Sequence, residues 1–366
     1  MALEHPPRRV VRIALGWFAI GAGLVLAFQT VWVGLHRWDP TVLLRVGSGL
    51  PHMEVVEADL GPVHSLDPLG HDGQINYLLA RDPFCLRGTD AYLREFDSPA
   101  YRYRRILYPL LAGGAGGFGG SATLAGMVVW SAVGAGLAAA AAAYLAGRWG
   151  LGGLTPFLLL LNPGVYLSAQ TLTADALALG FCLAGVALWE RRSEGAASVV
   201  LAAATLVKET SLLVPICLAL TPLFDRRLAA AGRLLAVSGL PWLGWSVWVS
   251  NHIGGGAGAN NFAWPGVGIV SATRLWPGMG PGEVVQGWLA LLLVAGSVVL
   301  AWRSPNPLLR RSCLAWAGLA VVLSSDVWGY PGNLLRSLAP LWAFAALAYG
   351  SCTAPAPGVS GIGSRP

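Results

Sequence analysis

The sequence predicts an all-α fold, a polytopic transmembrane helical bundle of about ten crossings. Three observations predict it. Only 11% of the 366 residues are charged and 55% are hydrophobic, where a soluble domain carries about 25% charged residues. Apolar spans long enough to cross a bilayer recur along the chain. The polar chemistry is gathered in one long loop behind the first span, so a large extracytoplasmic first loop with short amphipathic helices is expected. A mean hydropathy of +0.59 excludes an ordinary soluble enzyme. The net charge of +6 sits at loop edges, the pattern of orientation signals and headgroup contacts, so no nucleic-acid partner is expected.

The first element follows Arg8, Arg9 and Arg12 and runs over 13–35. A signal peptide has an apolar core of roughly 7–15 residues, and this run is longer, so a retained first helix is expected. Its N-terminus is placed in the cytoplasm by the preceding arginines. The polar loop occupies 36–105. The stretch 106–118 is short and glycine-rich and reads as a partly embedded helix. Apolar spans follow at 121–147, 152–168, 171–189, 197–223, 232–250, 284–302, 312–330 and 333–350. The span 197–223 holds Lys208-Glu209 at its middle and Pro215 beyond, so it reads as two broken helices. Arg148, Arg191, Arg192, Arg226, Arg227, Arg233, Arg303, Arg310 and Arg311 mark the cytoplasmic side, which turns the first loop, Asp175, the 251–283 loop, Asp326 and Arg336 outward. One transmembrane domain over 1–353 and a Pro/Gly/Ser-rich disordered tail over 354–366 complete the organisation. Of the five cysteines, Cys182, Cys217 and Cys313 lie in apolar spans, Cys352 just beyond one, and Cys85 alone in the first loop. Their spacing supports neither a disulfide frame nor a zinc site.

The loop carries His71-Asp72-Gly73-Gln74-Ile75-Asn76-Tyr77-Leu78-Leu79-Ala80-Arg81-Asp82-Pro83. Asp72 fits a helix cap for 74–81, and Pro83 stops that helix. Gln74, Tyr77 and Arg81 then share its polar face. Ser98-Pro99 starts a second helix, on which Tyr101, Arg105 and Tyr108 align until Pro109 kinks it. With Arg102, this face suits a lipid phosphate or headgroup anchoring. Asp175 follows Asn162-Pro163-Gly164 and Thr171-Leu172-Thr173 and suits the first turn of a helix. An ionised group near the bilayer centre costs about 2.5–3.5 kcal/mol on insertion scales, so Lys208 and Glu209 imply a polar cavity, a broken helix or an ion pair. Arg336 opens the last span and suits a phosphate or snorkelling to headgroups. His64, His71 and Asp72 fit no strong metal template, so no cofactor is expected, with a divalent metal as the alternative.

Together these residues resemble the GT-C superfamily of integral membrane glycosyltransferases, and within it the glycosylphosphatidylinositol-type mannosyltransferases and their bacterial relatives. The resemblance lies in His71-Asp72-Gly73, Tyr77-Leu78-Leu79-Ala80, Tyr108-Pro109-Leu110, the Asn162-Pro163-Gly164 step followed by Asp175, and Lys208-Glu209-Thr210. It covers roughly 10–215 by motif and the remainder by hydropathy. It departs from the family in lacking a paired Asp-x-Asp in the first loop. The resemblance implies a polyprenyl-phosphate sugar donor, often mannose, and a lipid, glycan or protein acceptor at the outer membrane face.

Residue chemistry points the same way. Hydrolysing an ordinary glycoside takes two carboxyl groups, because an alkoxide leaving group must be protonated. A lipid phosphate leaves as a stable anion, so one base and several cations suffice. Asp72 is the expected base of an inverting displacement. His71, Gln74 and Tyr77 are expected to orient sugar or acceptor. Arg102, Arg105, Lys208 and Arg336 are expected at the donor phosphate. Arg81, Asp82, Tyr101, Tyr108, Asp175 and Glu209 complete the expected substrate-binding set, with the prenyl tail in a groove beside Pro109. The Gly/Trp-rich 254–282 loop, with Asn260, Asn261, Trp264 and Trp276, reads as an acceptor loop or an interfacial belt. Two alternatives stay open: a transporter or flippase of a lipid-linked sugar, and an inert scaffold. The Arg-rich N-terminus and Ala/Gly-heavy spans suggest a bacterial plasma membrane, with an endoplasmic reticulum as the alternative.

Overall fold

Apolar side chains fix where this chain folds, and its prolines and polar steps fix where the helices stop. The computed structural model describes residues 8–49, 52–66, 68–86, 96, 98–152, 154–254 and 261–354. The described residues are helical apart from connecting segments and isolated bridge positions, among them the antiparallel bridge between Phe262 and Leu323. The tail expected to be disordered lies outside them, except for Ala354.

In chain order, α1 (Arg8–Leu35) leads through a 3₁₀ turn, Pro40–Leu44, to α2 (His52–Leu60) and α3 (Asp72–Arg81). Then come α4 (Pro99–Tyr103), α5 (Leu107–Gly116) and the long α6 (Gly120–Trp149). Next are α7 (Thr155–Leu160), α8 (Pro163–Gln170), α9 (Asp175–Glu190) and α10 (Glu194–Val207). A 3₁₀ turn, Glu209–Leu212, joins α10 to α11 (Leu213–Phe224), and α12 (Leu228–His252) follows. The remainder is α13 (Val267–Thr273), α14 (Pro281–Arg303), α15 (Pro307–Val322), α16 (Ser325–Trp328), α17 (Pro331–Ser337) and α18 (Ala339–Thr353).

Among the described residues, three helices are long and apolar enough to cross a membrane: Arg12–Leu35, Gly120–Trp149 and Pro281–Arg303. Their most apolar windows are 17%, 61% and 28% buried, which makes α6 the central helix and leaves α1 and α14 on the periphery. Small residues let α6 and α9 approach closely. A Cβ on Gly134 would lie 2.5 Å from the Leu177 nitrogen, and one on Gly180 would lie 2.5 Å from the Gly134 oxygen. Such close backbone contact is how apolar helices associate where burial of apolar surface gives little drive.

The apolar stretch 152–168 is two short helices, because Asn162-Pro163 ends α7 and starts α8. Asn162 accepts from the Gly164 amide at 3.1 Å and donates to the Ala339 carbonyl at 2.9 Å, tying α8 to α18. The last two apolar stretches likewise resolve into α15, two short helices and α18. The stretch 197–223 breaks at Lys208, whose backbone is extended at φ −156° and ψ 123°.

A basic and acidic cluster at the head of α3

The site begins with how α3 is held. A Cβ on Gly73 would lie 2.4 Å from the Thr171 oxygen and 2.7 Å from that of Leu44, so the first turn of α3 presses directly on the α8–α9 link and the 3₁₀ turn. Gln74 accepts from the Gly47 amide at 3.0 Å and donates to the Leu69 carbonyl at 3.1 Å. Asn76 donates to the Leu172 carbonyl at 3.1 Å. These bonds leave α3 little freedom to rotate and set the direction of its first side chain.

That side chain is Asp72. It is not the cap expected from the sequence. His71 holds the N-cap position with extended backbone and no side-chain bond, and Asp72 is the first helical residue. Its carboxylate is taken by two guanidinium groups. Oδ1 accepts from Arg102 Nη1 at 2.6 Å and Oδ2 accepts from Arg336 Nη2 at 2.5 Å. Two further pairs adjoin. Lys208 donates to Asp175, which also accepts from the Thr173 hydroxyl at 2.9 Å and lies 3.2 Å from Arg336 Nε. Arg105 grips Glu209 through Nε at 2.9 Å and Nη2 at 2.6 Å, the two-bonded geometry that makes such pairs strong. Arg105 also donates to the Tyr101 hydroxyl and lies 4.3 Å from that ring's centroid.

A small cavity opens among these groups, lined by Asp72, Asn76, Arg102, Arg105, Asp175 and Lys208 together with Leu79, Thr173 and Ala174. Asp175, Lys208 and Arg336 are buried. Among the described residues, four cations face three carboxylates, an excess of one positive charge. Arg336 Nη1 is buried without a hydrogen-bond partner, and an unmet guanidinium proton in a buried site is costly unless something accepts it.

The field of the cluster acts on its two loop members. Burial pushes the Asp72 carboxyl upward, but Arg102 and Arg336 outweigh it and hold it well below the usual carboxylate range. Burial, reinforced by Arg336, lowers His71 to about 4, so its imidazole is neutral at neutral pH. Its Nδ1 is buried and unpartnered.

The structure thus brings together Asp72, Arg102, Arg105, Tyr101, Asp175, Lys208, Glu209 and Arg336, with His71 at the edge. It places the other expected residues elsewhere. Tyr77 and Arg81 turn to Asp59: the Tyr77 hydroxyl donates at 3.2 Å, and Arg81 Nε lies 2.7 Å away. Tyr77 in turn accepts from the Gly120 amide at 2.8 Å, so this group ties α2 and α3 to the start of α6. Gln74 is buried and spent on backbone. Asp82 follows α3, and its side chain accepts from the Leu86 amide at 2.8 Å. Tyr108 is buried and donates to the Met127 carbonyl at 3.1 Å.

Tyr108 leaves the shared face because the helix breaks at 104–106, ahead of Pro109. A proline has no N–H for the Arg105 carbonyl, and the chain restarts as α5 instead of kinking. Pro109 itself is buried. An apolar cavity lies elsewhere, where Gly21, Val25, Ala135, Leu159, Val165 and Leu179 meet. In the Gly/Trp-rich loop, Asn260 lies outside the described residues; Trp264 is 84% exposed, but Trp276 is buried, edge-on to Trp288.

Asn76 and Thr173 were not singled out by the sequence reading. Asn76 stands one turn after Asp72 on α3, and that spacing was the available signal. Among the described residues no group of three or more metal-binding side chains occurs, and all five cysteines are unpaired. No family model matches this chain, and neither a curated protein nor a solved structure matches it.

Proposed function

We propose that this chain is an inverting membrane glycosyltransferase that moves a sugar, with mannose the first candidate, from a polyprenyl-phosphate donor to a lipid, glycan or protein acceptor. The observation that carries the reading is the clasp on Asp72: one carboxylate held by arginines from distant parts of the chain, beside a cavity with excess positive charge and an unmet guanidinium nitrogen. A phosphodiester carries one negative charge and would offset that excess. In the reaction, Asp72 takes the proton of the acceptor hydroxyl, whose oxygen bonds to the anomeric carbon as the bond to the phosphate oxygen breaks. The electron pair leaves with the lipid phosphate, which the cations stabilise as charge builds. The chain crosses the membrane about ten times in this reading, with short helices pairing end to end, and the site faces outward from a bacterial plasma membrane.

The test is transfer of labelled sugar from polyprenyl-phosphate mannose by the reconstituted protein, beside Asp72→Asn and a chelator arm. Transfer that drops by about a thousandfold or more in the variant is expected, within the range of losing a general base and its positioning. Transfer undiminished in a folded Asp72→Asn protein would remove the base from the mechanism. Movement of a lipid-linked sugar across the membrane without any new glycosidic bond would make the chain a transporter.

A further inference from the structure

The cations and carboxylates of the cluster account for a base and a phosphate, but not for the sugar between them. Three residues of α3 line the cavity: Asp72, Asn76 and Leu79. Their spacing puts them in one stripe along the helix, a carboxylate, then a carboxamide, then an isobutyl group. At 1.5 Å of rise per residue, Asn76 stands about 6 Å and Leu79 about 10 Å beyond Asp72. A pyranose ring with its hydroxyls spans a step of that order. Asn76 is partly exposed, and its side chain is held in one orientation, because the amide nitrogen donates to the Leu172 carbonyl at 3.1 Å. Among the described residues its amide oxygen accepts no hydrogen bond, and a carboxamide oxygen is a good acceptor for a hydroxyl. Thr173 is the other uncharged polar side chain of the lining, and its hydroxyl already donates to Asp175 at 2.9 Å. The charge balance also bears on the sugar. One phosphodiester offsets the excess positive charge, so a sugar with a charge of its own would enter the cavity without a partner, which is costly.

We propose that the α3 face from Asp72 to Leu79 is the sugar subsite, and that it takes an uncharged pyranose, one of whose hydroxyls donates to the Asn76 amide oxygen. The anomeric carbon then lies at the Asp72 end, where the acceptor hydroxyl attacks. The phosphate lies across the cavity among the cations, and Leu79 meets the carbon-bound hydrogens at the far end of the ring. Asn76 is a binding residue that orients the ring. A sugar lacking that hydroxyl leaves the amide oxygen without a partner, and this is how such a site discriminates. The inference rests on the reading of the chain as a transferase of lipid-phosphate sugars.

The test compares Asn76→Ala with the unmodified full-length protein, both reconstituted. Donors are the polyprenyl-phosphate hexose that the protein transfers, mannose first, its four monodeoxy analogues, and the matching uronate. For each donor the ratio of kcat/KM between the two proteins is taken, so a donor's own reactivity cancels. With the parent sugar the unmodified protein is expected to be about thirtyfold better. With one deoxy analogue that advantage is expected to fall to about threefold, because the hydroxyl that Asn76 would hold is already gone. The lost tether to Leu172 displaces α3 alike for every donor, so a purely structural role leaves the ratio constant. Asn76→Ser carries the same comparison if Asn76→Ala does not fold. The uronate is expected to be transferred at least a hundredfold more slowly than the parent hexose by the unmodified protein. A constant ratio across all donors would overturn the contact with Asn76, and uronate transfer at the parent rate would overturn the uncharged sugar; both leave the transferase standing. No transfer of any hexose by the unmodified protein would overturn the transferase reading itself, and the sugar subsite with it.

Discussion

At the residue scale, His71 and Asp72 are neighbours whose contributions to stability are both lost on acidification, in successive pH windows. His71 is neutral in the fold, lowered to about 4 by burial and Arg336. The unfolded chain binds a proton there more readily, so its contribution is fully present above about pH 6.5 and is lost as pH falls towards about 4, by about 3 kcal/mol in all. Thermal unfolding in detergent across this window is expected to show that loss, and His71→Gln, which does not titrate, is expected to flatten it. An equal slope in the variant would place the proton elsewhere. Asp72 acts lower: its clasp stabilises above the ordinary carboxylate value and is lost as pH drops through its depressed one. The sequence showed these residues as candidates because charge is rare in this chain. It did not show that Asp72 is shared between Arg102 and Arg336, because such a pairing depends on how remote helices pack.

At the element scale, α3 positions the cluster and the break after α10 completes it. Gly73→Ala puts a methyl group against the Thr171 and Leu44 carbonyls. A loss of about 1–3 kcal/mol in unfolding free energy is expected, together with weaker phosphodiester binding as Asp72 shifts. Wild-type affinity in a destabilised variant would show that the head of α3 does not set the site. Lys208→Met leaves Asp175 with Arg336 as its one described cation inside the protein, and destabilisation of up to about 3–5 kcal/mol is expected. Adding Asp175→Asn should restore most of that stability without restoring transfer; denaturation midpoints with the assay separate the two. The break at Lys208-Glu209 was legible, since two adjacent charges in an apolar span demand a polar surrounding. The sequence places a kink at Pro109, whereas the helix already breaks at 104–106, three to five residues earlier. Proline marks the lost hydrogen bond, yet the chain restarts at the residue that gives Tyr108 its buried partner, Met127. Gln74, Tyr77 and Arg81 lie on a helix as their spacing predicts, but nothing local reveals Asp59 as the partner of Tyr77 and Arg81, or backbone as the partner of Gln74.

At the scale of the whole molecule, the all-helical, apolar architecture followed from composition, while the number of membrane crossings depends on how short helices pair. The orientation has a direct test in the native cysteines. Cys85 follows α3, in the same loop as Asp72, and Cys352 lies in the last turn of α18, both partly exposed. In sealed cells, a membrane-impermeant maleimide is expected to reach Cys85, and to reach Cys352 only after permeabilisation. The reverse pattern would turn the site to the cytoplasm. The link from Asp72 to Arg336 spans 264 positions, and this bears on biosynthesis. A chain leaving the ribosome inserts α3 and its carboxylate long before α17 exists. Until Arg336 arrives, Asp72 lacks one of its cations and Asp175 lacks a neighbour. The charged cluster is therefore finished almost last, and a nascent chain that ends before α17 carries Asp72 and Asp175 each short of an arginine.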